Sequence, residues 1–84
     1  MAKRKTSALD DTGWVKVASS NVRMIRHQGA PVNTLFVKFA DGSRYAYFNV
    51  PRDVYRRMLN SASKGQFVHR VLSAYEYEKV YVTL

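Results

Sequence analysis

Tyr45 to Tyr75, YAYFNVPRDVYRRMLNSASKGQFVHRVLSAY, is the stretch whose reading decides the fold. It starts in strand-like alternation and passes through Val50-Pro51 into two runs with helical spacing. Pro51 suits a first helical turn, and its ring pushes Val50 out of the helical region, so a strand ends and a helix begins here. Val54, Tyr55, Met58, Leu59 and Ala62 recur three and four apart and predict one buried stripe. Arg52, Arg56 and Arg57 fall on the other side, with Asp53 one turn before Arg56 and Arg57 and able to pair with either. Ser63-Lys64-Gly65-Gln66 has the form of a capping box, with Ser63 capping a second helix and Gln66 reaching back. Phe67, Val68, Val71, Leu72 and Tyr75 supply that helix's apolar side, while Lys64, His69 and Arg70 point outward. Gly65 is either a loop glycine or a place where the two helices approach closely.

Upstream of this stretch the chain reads as sheet. Leu35, Val37 and Phe39 alternate with Phe36, Lys38 and Ala40, and Asp41-Gly42 marks a hairpin returning through Ser43 to Asn49. A two-residue turn would pair Phe39 with Arg44. A three-residue loop with Gly42 in the left-handed bulge position pairs Phe39 with Ser43, Val37 with Tyr45 and Leu35 with Tyr47. Burial favours the second register, because it gathers the large apolar groups on one face. The other face then carries Phe36, Lys38, Arg44, Ala46 and Phe48.

Val22 to His27 is an earlier strand with an impure pattern: Val22 and Met24 on one face, Arg23, Ile25 and His27 on the other. Gly29 to Asn33 forms the loop after it, and Ser19-Ser20-Asn21 the turn before it. Trp14 to Val17 is a short strand or an extended lead-in. Glu78 to Leu84 closes the chain as a strand, Val80, Val82 and Leu84 alternating with Lys79, Tyr81 and Thr83. Residues 1–12, MAKRKTSALDDT, carry no period and read as a flexible basic arm that either lies on phosphates or is simply unstructured. The remainder, 13–84, is a single domain.

Composition narrows the function classes. The chain has 84 residues, no cysteine, and 14 basic against 6 acidic residues, a net charge of +8. Lys3, Arg4 and Lys5 against Asp10 and Asp11 leave +1 on the arm, so the other 11 basic and 4 acidic residues put +7 on the domain. Without cysteine there is no disulfide or thiolate metal site. No apolar run approaches the roughly 20 residues of a membrane helix, and no apolar segment follows the basic N-terminus as a secretory signal requires. A cytoplasmic setting is the expectation. A surplus of cations favours a polyanion, either nucleic acid (RNA or DNA) or an acidic face of a larger protein.

Val17-Ala18-Ser19-Ser20, Thr34-Leu35 with Val37 and Phe39, Gly42, Tyr45, Tyr47, Val50-Pro51, Tyr55, Ala62-Ser63, Gly65, Phe67 and Tyr75 stand in an order that resembles the KTSC domain family. These are small domains of bacterial and phage proteins, named for a C-terminal module of some lysyl-tRNA synthetases. The resemblance spans Trp14 to Tyr77. It implies a non-enzymatic binding module, with RNA or a translation-associated partner suggested by analogy. It carries no functional residue over. Where family members often have Tyr or Asn near Phe67, this chain has Val68 and His69.

No constellation of side chains points to catalysis or to a metal. His27 and His69 are the two histidines, fewer than the three or four ligands a zinc site needs. Ser63 or Ser20 with His69 and Asp53 has no spacing that demands a triad, and Ser63 already caps a helix. The candidate nucleic-acid contacts are Lys38, Arg44, Arg52, Arg56, Arg57, Lys64 and Arg70. Phe36 and Phe48 either stack bases beside Lys38 and Arg44 or lie buried beneath the N-terminal strand or a helix. Tyr45, Tyr47, Tyr55 and Tyr75 read as core or core-edge groups, and Tyr77 and Tyr81 as the tyrosines free for a partner.

The reading is thus an α+β domain: a small antiparallel sheet of three to four strands with two short helices packed on one face. The expected role is a small basic binding module that contacts nucleic acid through phosphates. The alternatives are a regulator, such as one encoded by a phage, that docks on a polymerase or nuclease, and a structural subunit of a larger assembly. No cofactor and no small-molecule substrate is expected.

Overall fold

The alternation of Leu35, Val37 and Phe39 with Phe36 and Lys38 puts a two-faced strand at the centre of the sheet. In a computed structural model that describes residues 13–81, this strand is one of five. They are β1 (Val15–Lys16), β2 (Val22–Gln28), β3 (Thr34–Phe39), β4 (Arg44–Tyr47) and β5 (Tyr77–Val80), lying side by side in that order. All neighbouring pairs are antiparallel. Helices α1 (Arg52–Leu59) and α2 (Lys64–Arg70), followed by a 3₁₀ turn at Leu72–Ala74, fill the connection from β4 to β5. The α+β class is as predicted, but the strand count is five, not three to four. The edge strand β1 explains this. It has two residues, both exposed, so it shows none of the alternation that makes a half-buried strand readable. The basic arm expected over 1–12 lies outside the described residues.

The central hairpin has the register that burial selects. Val37 pairs with Tyr45 and Leu35 with Tyr47. Phe39 N donates to Ser43 O at 2.8 Å, Gly42 N donates to Phe39 O at 2.9 Å, and Gly42 has a φ of +93°. That backbone conformation is open to glycine and strained for other residues.

β2 corrects its sequence reading. A bulge between Val22 and Met24 shifts the alternation by one residue. Val22 and Ile25 therefore face the core together, both fully buried, and Met24 turns to the opposite face. The turn before β2 closes on Ser19, whose Oγ accepts from the backbone N of Asn21 and of Val22.

Both helices cover one face of the sheet. Ile25, Leu35 and Val37 on that face, Val50 beyond β4, Met58 of α1 and Leu72 of the 3₁₀ turn are all fully buried. The rings of His27 (β2) and Tyr55 (α1) stack at 5.3 Å, and His27 Nε2 donates to Val50 O at 2.7 Å. α1 begins one residue later than expected, with Pro51 at its N-cap in an extended conformation. Its stripe stops at Leu59, so Ala62 is exposed. Ser63 does cap α2, its Oγ accepting from Gln66 N at 3.2 Å; a return bond from the Gln66 side chain is absent among the described residues. α2 ends at Arg70, and the remaining apolar positions of its predicted stripe continue in the 3₁₀ turn. β5 covers the first part of the predicted Glu78–Leu84 strand, and residues 82–84 lie outside the described residues.

Candidate nucleic-acid interface

The face of the sheet turned away from the helices holds the side chains that the core excludes. Cross-strand partners form one row over it: Lys16 with Met24, Met24 with Lys38, Lys38 with Arg44, and Arg44 with Val80. The next row runs from Arg26 to Phe36, Ala46 and Glu78. Lys38 and Arg44 stand directly opposite each other, a like-charge pairing that costs stability. The Arg44 Nε is buried and lacks a hydrogen-bond partner among the described residues.

Beside this row, where β1 and the serine turn meet β2, lies a cleft of about 630 Å³. Lys16, Arg23 and Lys38 line it together with Ser19, Ser20 and Met24, and no carboxylate is among its lining residues. The bulge in β2 turns Arg23 outward, and its guanidinium donates to Ala40 O at 3.4 Å. The arrangement is suited to an anion: three cations from three strands, on a surface partly open to water, with serine hydroxyls between them.

The seven residues expected to form one patch divide between the two sides of the molecule. Lys38 and Arg44 share the open face. Arg52, Arg56 and Arg57 are exposed on α1, which packs on the opposite face; Arg52 lies beside Gly29 at the end of β2. Arg70 is exposed on α2, and Lys64 is half-buried with Nζ donating to Ser61 O at 2.7 Å. No ion pair joins Asp53 to Arg56 or Arg57 among the described residues. Lys16 and Arg23 were missed in the sequence, because their approach to Lys38 depends on the pairing of β1 and on the bulge. Of the two alternatives for Phe36, the structure has it half-buried against Trp14, the rings 6.5 Å apart. Phe48 is also half-buried.

The tyrosines sort as predicted. Tyr47 and Tyr55 are buried, Tyr45 and Tyr75 half-buried, and Tyr77 and Tyr81 are 55% and 73% exposed. Burial, with Tyr77 and Tyr45 nearby, pushes the Tyr47 phenol up to about 12, and burial also raises that of Tyr55. Among the described residues no group of three His, Cys, Asp or Glu side chains comes together, and no helix is long and apolar enough to cross a membrane. His27 is in the core and His69 on the surface of α2.

A family model, the KTSC domain, matches residues 18–77. The chain belongs to the KTSC domain family. Its relatives include the lysine–tRNA ligases of Trichormus variabilis and of a Nostoc species, each 33% identical over 67 residues. Those matches cover 79% of this chain and 12% of each ligase, so this KTSC chain spans a small fraction of those enzymes. A KTSC domain protein from Yersinia pestis has the same fold, with a TM-score of 0.75 at 23% identity, over 81% of this chain and 96% of that one.

Proposed function

We propose that this KTSC domain is a non-catalytic module that binds nucleic acid, and that the open face of its sheet makes the first contact through phosphates. The cleft lined by Lys16, Arg23 and Lys38 carries this reading. Cations gathered in one concavity without a carboxylate among them raise the local concentration of a polyanion and release its counterions on binding. The like-charged Lys38–Arg44 pair adds to it, because a phosphate between the two relieves the repulsion that the free sheet carries. Relatedness to a segment of lysine–tRNA ligases is compatible with a partner of this kind. The arginines of α1 offer a second, weaker surface on the far side.

A salt titration tests the proposal. Fluorescence anisotropy of a labelled single-stranded 10-mer should give a log–log salt slope of about −2, at roughly −0.7 for each of three phosphates neutralised. Affinity that does not change with salt refutes it. Lysate capture with and without nuclease separates it from docking on a larger protein: a partner retained after nuclease treatment would favour docking.

A further inference from the structure

A second cleft, also of about 630 Å³, lies on the helix side of the sheet beneath the tip of the β3–β4 hairpin. Phe39, Tyr45, Tyr47 and Tyr77 form its aromatic wall, meeting edge-on or tilted at centroid distances of 5.6, 6.0 and 5.4 Å. Core packing consumes only part of this wall: Tyr47 is buried, Phe39 and Tyr45 are half-buried against the core, and Tyr77 stays open. α2 ends at Arg70, Val68 closes the far side, and Tyr77 is left 55% exposed.

The polar side chains of the cleft other than the tyrosines are Asn21, Asp41, Ser43, His69 and Ser73, which together offer both donors and acceptors. Asn21 lines it, and its side-chain amide has no hydrogen-bond partner among the described residues. That amide rests on Gly65, where an added Cβ would sit 2.8 Å from Asn21 Nδ2. The close approach expected of Gly65 is therefore to the turn before β2, not between the two helices. At the hairpin tip Asp41 accepts from Ser43 N at 2.9 Å and Ser43 Oγ at 2.7 Å, bonds that hold its carboxyl below the usual range. An ionised Asp41 repels phosphate but accepts from an exocyclic amino group. A flat, neutral ring system with donors and acceptors on its edge suits such a cleft: it stacks on an aromatic face while an amide and a carboxylate meet its edge.

The two clefts are neighbours. Ala40 lines both, and it ties β2 to the hairpin: Ala40 N donates to Asn21 O at 2.8 Å, while Ala40 O accepts from Arg23. We propose that the aromatic cleft takes one unstacked nucleobase, adenine-like in bearing an exocyclic amino group, from a single strand whose phosphates lie in the adjoining cationic cleft. This rests on the phosphate-binding reading above and assigns the strand a direction across the sheet end at Ala40.

Anisotropy with three labelled 10-mers at one salt concentration tests it: oligo(rA), oligo(dA) and an abasic deoxyribose-phosphate strand. At least one of the adenine strands should bind roughly tenfold tighter than the abasic strand, as stacking of a base on an aromatic ring predicts. The tighter of the two identifies the sugar. Tyr77→Leu should remove that excess and leave the salt slope as it is. Gly65→Ala is the second variant, since alanine favours the helix while its Cβ displaces the Asn21 amide; it should reduce the excess without loss of thermal stability. Equal, salt-sensitive binding of all three strands overturns the base cleft alone, as does an adenine excess that survives both substitutions. Absence of salt-sensitive binding by every strand overturns the phosphate reading and the base cleft together.

Discussion

The two faces of the sheet are built from alternate residues of the same strands, yet they do different work. On β3, Leu35 and Val37 are fully buried beneath the helices, while Phe36 and Lys38 between them face outward with Arg44, Met24 and Lys16. Burial at about 25 cal/mol per Å² of apolar surface makes the covered face the source of stability. The open face is relieved of that task and carries like charges side by side, at a cost of roughly 0.2–1 kcal/mol for a directly opposed pair. A domain of 84 residues has one small core, so separating the two roles by face lets cations accumulate without entering that core.

The largest effect should come from the covered face. Leu35→Ala leaves a void beneath the helices and should cost about 2–5 kcal/mol in urea or thermal unfolding, whereas Lys38→Ala, three positions on, should stay within about 0.5 kcal/mol. Similar costs for the two would abolish the distinction between faces. On the open face, the combined Lys16→Ala, Arg23→Ala and Lys38→Ala variant should keep its melting temperature and flatten the salt slope of oligonucleotide binding by about 2. A parent-like slope moves the phosphates elsewhere.

Alkaline titration sharpens the comparison from the covered side. Tyr47 has its phenol raised from 10.0 to about 12, so its neutral form is the one the fold prefers. The sign follows directly: this stability is fully present below pH 10 and is lost as pH rises toward 12. Tyr55 adds in the same direction. Unfolding midpoints should fall over that window, and Tyr47→Phe should flatten the fall; an unchanged fall would assign it to other groups. The smallest effect is expected from α1. Arg52→Ala, Arg56→Ala and Arg57→Ala together should change the salt slope by less than the open-face variant does, and stability by about 0.5 kcal/mol or less per site. A larger drop in slope from this helix would transfer the binding surface to the far side of the molecule.

How far the sequence could be read depended on how local each decision was. The β3–β4 register was legible because one loop of three residues sets it, and only one choice gathers Leu35, Val37, Tyr45 and Tyr47 on a face. Ser63 as a cap and the Val54, Tyr55 and Met58 stripe were legible for the same reason, resting on contacts within a turn or two. The candidate site was legible only in part. Lys38 and Arg44 could be placed together, but the arginines of α1 and α2 were assigned to the same patch because sequence reports that a helix side is charged, not which way that side looks. The aromatic cleft was hidden further, since Tyr45 and Tyr47 read as core edge when the length of α2 is unknown.

By itself, then, the chain determined its class, its central hairpin, its helix stripes and its cationic surplus, all of which follow from periodicity, turn chemistry and composition. Tertiary structure alone decided the bulge that turns Arg23 outward, the pairing that brings Lys16 to Lys38, and the rest of Asn21 on Gly65. Those join segments distant in the chain, and their registers are settled by competition for one buried face, to which the two-residue exposed edge strand β1 contributes no pattern of its own.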